Sequence, residues 1–213
     1  MPNWCNNNIS ISHPDRSKME ALAQAVREGK FCNFVKPVPE SLHIVAGRVG
    51  DDTDPKQIEL EAAEKRNLEA HGYATWYDFC VNEWGTKWDV DAYEGNDITV
   101  DNNNTIYFGF DSAWSPPIGI YEALAEQGYT VLAQYYEPGM GYVGEWDDGV
   151  DNCIEYSGET SKTVRDLIGD ELDDLYGISE SMAQFEDEEE SEEVTEWYEQ
   201  GCESRGLTPG AKE

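Results

Sequence analysis

Two short stretches of the chain concentrate the side chains best suited to holding a ligand. The first is Trp84-Gly-Thr-Lys-Trp-Asp89 and the second is Asp111-Ser-Ala-Trp-Ser-Pro-Pro117. Indole walls beside a single ammonium suit stacking on a planar or anionic ligand. In that arrangement Trp84, Trp88 and Trp114 form the walls, Lys87 neutralises charge, Ser115 donates a hydrogen bond and Asp89 supplies a carboxylate. The same residue types also suit a sheet–helix core, with the lysine stem lying across the rings. Nucleophilic catalysis needs a base beside the nucleophile. Asp89, Asp111 and Glu137 are available carboxylates, but no Ser–His or Cys–His pairing stands out, and His13, His43 and His71 are scattered. No catalytic residue is assigned, and the chain reads as a binder more than an enzyme.

Other motifs are weaker. Gly139-Met-Gly-Tyr-Val-Gly144 matches G-x-G-x-x-G, but turn and strand residues follow it where a dinucleotide site requires a helix, so it reads as a glycine-rich hairpin. The acidic turns Asp51–Asp54 and Asp147–Asn152 do not complete a twelve-position calcium loop. Cys5, Cys32, Cys80, Cys153 and Cys202 form no C-x-x-C pair, which points to reduced thiols and no zinc site. Neither a metal nor a cofactor is expected.

Charge is the outlying bulk property. The 213 residues carry 45 acidic and 14 basic side chains, a formal charge of −31, while aromatics at 12% imply a packed core. Such a balance disfavours direct contact with phosphate backbones, which requires lysine and arginine. It suits a basic partner, and equally a salt-rich cytoplasm. The charge is uneven: from Glu145 onward there are 23 acidic residues against 4 basic. The most acidic stretch supplies the expected partner-binding face, namely Glu186, Asp187, Glu188, Glu189, Glu190, Glu192 and Glu193, with Trp197 as an apolar anchor. No leader-like or membrane-spanning apolar run is visible, so a cytoplasmic location in a host cell is expected.

The elements that must position these residues follow from periodicity. Asn8–Ser12 alternates as a strand, and Met19, Leu22, Ala23 and Val26 mark a helix ending at Gly29. Phe31–Val35, followed by Pro37 and Pro39, reads as an extended edge. Residues 40–55 read as a loop, 57–71 and 75–84 as helices, and the segment around Trp88, Val90 and Ala92 as a strand. Further strands are expected at 105–111, 129–137, 141–146 and 152–157. A helix starts at Pro116 and ends before Gly128. One amphipathic helix is expected through Val164, Leu167, Ile168, Leu172 and Leu175, capped by Thr160 or Ser161 and closed by Gly177.

This order predicts an α+β fold: a ferredoxin-like, split βαβ antiparallel sheet with an inserted helical pair. The expected domains are 1–158, with the insertion at about 40–84, and a helical acidic C-terminal extension over 159–213.

Five ordered motifs carry a family resemblance: Pro2-Asn-Trp-Cys-Asn-Asn-Asn-Ile-Ser-Ile11, Pro37-Val-Pro39, Trp84–Asp89, Phe110–Pro117 and Tyr136-Glu-Pro-Gly-Met-Gly141. Over residues 2 to 146 the chain resembles the YubB-type ferredoxin-like family of phage and plasmid proteins. The resemblance implies a ferredoxin-like domain and a mobile-element origin, and brings no reaction. The reading that results is an acidic binding protein that occupies a basic, nucleic-acid-binding surface of a host protein. A DNA-mimic-like inhibitor of anti-phage defence is its sharpest form. The alternative is a small-ligand or nucleotide-binding protein, hydrolytic in one version, that uses the Trp/Lys/Asp pocket.

Overall fold

The structure, a computed structural model, describes residues 3–188. Two compact units divide the chain, Met1–Glu155 and Tyr156–Glu213.

The first unit is built on five strands: β1 (Trp4–Ser12), β2 (Thr105–Ala113), β3 (Thr130–Glu137), β4 (Tyr142–Asp147) and β5 (Val150–Glu155). Their order is β2-β1-β3-β4-β5, with every neighbouring pair antiparallel. The alternation read at Asn8–Ser12 extends back to Trp4. Cys5, Asn7, Ile9 and Ile11 are buried while Asn6, Asn8 and Ser10 face away, the period-two consequence of the pleat. Ile9 lies opposite Phe108 and Ala133, and Ile11 opposite Ile106 and Val131. A one-residue slip would turn that whole set outward, so burial fixes the register.

Helices α1 (Arg16–Arg27), α2 (Phe31–Val35) and, later in the chain, α5 (Ile118–Glu126) contribute to the same core. Asp15 caps α1 by accepting the Ser17 N–H, and Met19, Leu22, Ala23 and Val26 are buried. Phe31 meets Phe108 edge-on at 5.3 Å, and Tyr121 of α5 lies 5.8 Å from Trp146. A polar thread crosses this core. The buried Asn7 amide donates to the Cys5 carbonyl (2.8 Å) and to Ser112 (2.9 Å), while its oxygen accepts from the Tyr121 hydroxyl (3.0 Å). Every donor there has a partner, as burial demands.

Between α2 and β2 lies the insertion: a 3-10 turn at Glu40–Leu42, α3 (Pro55–His71), α4 (Trp76–Phe79) and a π-helical turn at Cys80–Trp84. Helix α3 begins at the Asp54 cap with Pro55 in its first turn and ends at left-handed Gly72. It leaves Ile58 and Leu68 exposed. Asn67 ties it down by donating to the Ser41 and Ala74 carbonyls at 2.9 and 3.0 Å.

Two segments differ from the sequence reading. Residues 31–35 are helical, because Asp89 accepts the backbone N–H groups of Cys32 and Asn33 at 2.7 and 3.0 Å and so caps the turn from a distance. The segment after Trp84 joins β2 through a single bridge, Ala92 to Phe110. Beyond it, Tyr93 donates its N–H to the Gly109 carbonyl (2.8 Å), and Asn96 accepts the Gly109 N–H through its side chain (3.0 Å). An irregular segment thus closes this edge of the sheet, one of the ways proteins blunt an exposed strand.

In the second unit α6 (Val164–Ile168) and α7 (Asp170–Tyr176) replace the single helix expected there. Gly169, at φ +87°, breaks it, and a further helix covers 178–188. Among the described residues of this unit, Tyr156, Val164, Ile168, Leu172 and Ile178 are the buried hydrophobic ones. Among the described residues no helix is long and apolar enough to cross a membrane.

Candidate functional site: an aromatic cluster around Lys87

Gly85, left-handed at φ +84°, ends the π-helical turn and sends the chain across the end of β2. Thr86 fastens it there: its hydroxyl donates to the Ala113 carbonyl (3.1 Å) and accepts the Ala113 N–H (3.0 Å). Next in sequence, the Lys87 ammonium sits 4.3 Å from the Trp88 ring centroid, 5.5 Å from Trp114 and 5.6 Å from Tyr77. These distances fall within the cation–π range. Trp88 and Trp114 are 40% and 38% exposed, and Trp4 packs on Trp88 at 6.2 Å. Tyr77 meets Trp114 edge-on at 6.4 Å. The cluster is a surface feature.

Trp114 takes a left-handed backbone, φ +71°, a conformation that disfavours a bulky L side chain. Its two backbone polar groups are both engaged: the N–H donates to the Asn3 carbonyl and the carbonyl accepts from the Tyr142 hydroxyl, each at 2.9 Å. Ser115 braces the same corner, donating its hydroxyl to the Gly85 carbonyl at 2.5 Å.

Of the six residues read as a ligand site, Lys87, Trp88 and Trp114 converge on the surface. Trp84, Asp89 and Ser115 line the flanking recesses and also hold the fold. Trp84 is buried and its indole N–H donates to the Lys36 carbonyl at 2.8 Å. Asp89 turns inward as the cap of α2, and burial raises its pKa against the opposing pull of the Asn33, Cys32 and Val90 N–H groups. The other two carboxylates are also engaged: Asp111 accepts from the Tyr93 hydroxyl at 2.5 Å, and buried Glu137 accepts the N–H groups of Gly139 and Met140 at its own turn. Gly139–Gly144 spans that turn and enters β4, with no helix behind it.

Tyr77 and Trp4 belong to the cluster and were not read from sequence. Trp4 had a usable signal, since its register on β1 groups it with Asn6 and Asn8 on the face away from the core. Two recesses flank the cluster. One, of about 300 Å³, is lined by Trp84, Lys87, Trp88 and Asp89 of the predicted site, together with Trp76 and His43 among others. The other, of about 580 Å³, is lined by Trp114, Tyr142, Met140, Asp151 and Glu155 among others.

Of the residues expected to face a partner, Glu186, Asp187 and Glu188 are exposed on the helix over 178–188. Glu186 is already engaged: it accepts the Ser161 N–H at 2.8 Å and the Ser161 hydroxyl at 2.6 Å, which hold its carboxyl below the usual range. Glu189, Glu190, Glu192, Glu193 and Trp197 lie outside the described residues. In the same unit the Arg165 guanidinium gathers Asp170, Asp173 and Asp174 at 2.7, 2.9 and 2.8 Å.

The first unit is thus a mixed α+β domain with a five-stranded antiparallel sheet and an indole-rich surface cluster. No family model and no curated protein matches the chain. Among solved structures, the crystal structure of a protein api92 from Yersinia pseudotuberculosis, of the family model DUF1281, is similar to it. The likeness covers 75% of this chain and 99% of that chain, at 12% identity and a TM-score of 0.34, a level that carries no argument about fold or function.

Proposed function

We propose that the chain is an acidic binding protein of a phage or plasmid that covers the basic, nucleic-acid-binding surface of a host protein. In its sharpest form it acts as a DNA mimic and inhibits an anti-phage defence complex in the host cytoplasm. The first unit is read as ferredoxin-like and of the YubB type. The antiparallel order β2-β1-β3, with α1 following β1 and α5 linking β2 to β3, supports that reading.

One observation carries the function. Between Tyr156 and Glu188 there are ten acidic residues and two basic ones, and the arginine of that pair is folded onto three aspartates. The remaining carboxylates are presented outward beside exposed Leu167, Leu175 and Phe185. Surface charge of one sign speeds encounter with an oppositely charged face, and apolar side chains then slow dissociation. A second reading, small-ligand or nucleotide binding, is favoured by the recess of about 300 Å³ beside Trp88. Asp89 lines that recess and Ser115 the neighbouring one, but both already spend hydrogen bonds on the fold, Asp89 on the Cys32 and Asn33 N–H groups and Ser115 on the Gly85 carbonyl.

The test is capture of host DNA-binding proteins on the immobilised chain, with duplex DNA as competitor. Release by the DNA and by raised salt is expected, as is loss of capture in a Glu180→Lys, Asp187→Lys, Glu188→Lys variant. Capture that neither DNA nor salt reverses overturns the reading.

A further inference from the structure

Half of the twelve lysines and arginines of the described residues are met by carboxylates or by a short bond to a backbone carbonyl. Arg16, Lys30, Lys36, Arg48 and Arg165 each make an ion pair, and Arg27 donates to the Ile98 carbonyl. Lys87 does neither. In a chain with 45 acidic side chains its ammonium has no carboxylate of the described residues within 4.0 Å, and three π faces surround it instead.

We propose that Tyr77, Trp88 and Trp114 form a cation-binding box, and that Lys87 occupies it in place of an alkylammonium side chain from a basic partner. The inference deepens the proposed function and rests on its basic partner. Electron-rich ring faces disposed around a point charge are the arrangement that recognises lysine and, more strongly, quaternary ammonium groups. The walls do not depend on Lys87 for their position. Trp114 is fixed by Asn3 and Tyr142 through its backbone and meets Tyr77 edge-on, while Trp88 leans on Trp4. Lys87, by contrast, is held by its ring contacts at the end of a flexible four-carbon stem, so an incoming ammonium displaces it without rebuilding the box. The two tryptophans are open enough to admit one. The strongly negative chain also favours a cationic visitor over an anionic one.

The test uses tetramethylammonium chloride as the probe and reads the indole N–H signals of Trp88 and Trp114 by NMR, each assigned from its Phe variant. In the wild-type chain Lys87 competes, so the shifts saturate only at high concentration. In Lys87→Ala and Lys87→Gln the box is vacated, and the apparent Kd is expected to fall by about ten-fold or more. The signals of buried Trp84 and Trp146 stay in place. Two variants of different size guard against local collapse of the cluster. The inference is overturned if neither variant binds more tightly than the wild type. It is also overturned if 3,3-dimethyl-1-butanol, in which a neutral tert-butyl group stands in for the charged trimethylammonium group, shifts Trp88 and Trp114 equally. Failure of the cation to bind while DNA-binding proteins are still captured removes this inference alone. Cation binding without such capture supports the box and removes the proposed partner.

Discussion

Asp89 follows Trp88 directly in the chain and faces the opposite way, and that single reversal separates the surface cluster from the core. Its carboxylate accepts three backbone N–H groups, those of Cys32, Asn33 and Val90. Removing it leaves buried donors without an acceptor, so Asp89→Ala is expected to lower stability by about 2 kcal/mol in urea unfolding. Partner capture by the folded variant should be unchanged. Asp173 offers the opposite pH behaviour from Asp89. Burial pushes its pKa up, but the Ser179 hydroxyl and N–H, together with Arg165, more than offset that and hold it below 3.8. A depressed folded-state pKa contributes stability that is present above the unfolded value and is lost as pH falls through the folded one. The stability difference between the wild type and Asp173→Asn should therefore be full at neutral pH and shrink in the acid range below 3.8. Thermal unfolding of both proteins across that range measures it. A difference that grows on acidification contradicts the assignment.

At the scale of elements, the cluster depends on how closely α5 approaches the turn at Cys80–Trp84. Gly119 makes that approach possible, since a β-carbon there would lie 2.2 Å from the Glu83 carbonyl oxygen. Backbone cannot yield as a side-chain tip does. Gly119→Ala is expected to cost about 2 kcal/mol in chemical denaturation and to alter the Trp114 indole signal through displacement of the β2–α5 corner. A variant of unchanged stability would show that the two elements are not in register as described. Much of this architecture was legible beforehand. The alternation of Ile9 and Ile11, of Ile106, Phe108 and Phe110, and the Pro–Pro start of α5 are local signals, and the strands and helix appear where those signals lie. What failed was non-local. Phe31–Val35 looked extended because two prolines follow it, whereas its helix is capped by a residue more than fifty positions away. Trp88, Val90 and Ala92 alternate in sequence, yet Trp88 is exposed and Val90 buried, and the segment yields one bridge. Gly169 sat inside an unbroken apolar stripe, and periodicity gives no sign of its positive φ. The bonds that Trp84, Asp89 and Ser115 make to the Lys36 carbonyl, the Cys32 and Asn33 N–H groups and the Gly85 carbonyl are non-local in the same way, and the spacing of the site residues gives no sign of them.

For the whole molecule, a formal charge of −31 acts on folding and on binding with opposite signs. Like charges oppose compaction, and counter-ions relieve that opposition. The same counter-ions screen the attraction to a basic partner. Raising ionic strength from about 0.01 to about 0.1 M shortens the Debye length from about 30 to about 10 Å, less than the dimensions of a domain. Melting temperature is therefore expected to rise by about 3 °C or more over that interval, for a gain near 1 kcal/mol, while affinity for the captured host protein falls by about ten-fold or more. Replacing Asp187 and Glu188 by lysine takes the formal charge from −31 to −27 and should flatten both slopes together. Scanning calorimetry and a binding isotherm at each salt concentration measure the pair. A melting temperature insensitive to salt would mean that the carboxylates are already neutralised by pairing within the fold, leaving no surplus field for a partner. A melting temperature that rises while affinity stays constant would place recognition on the indole cluster instead, with the acidic helices serving solubility alone.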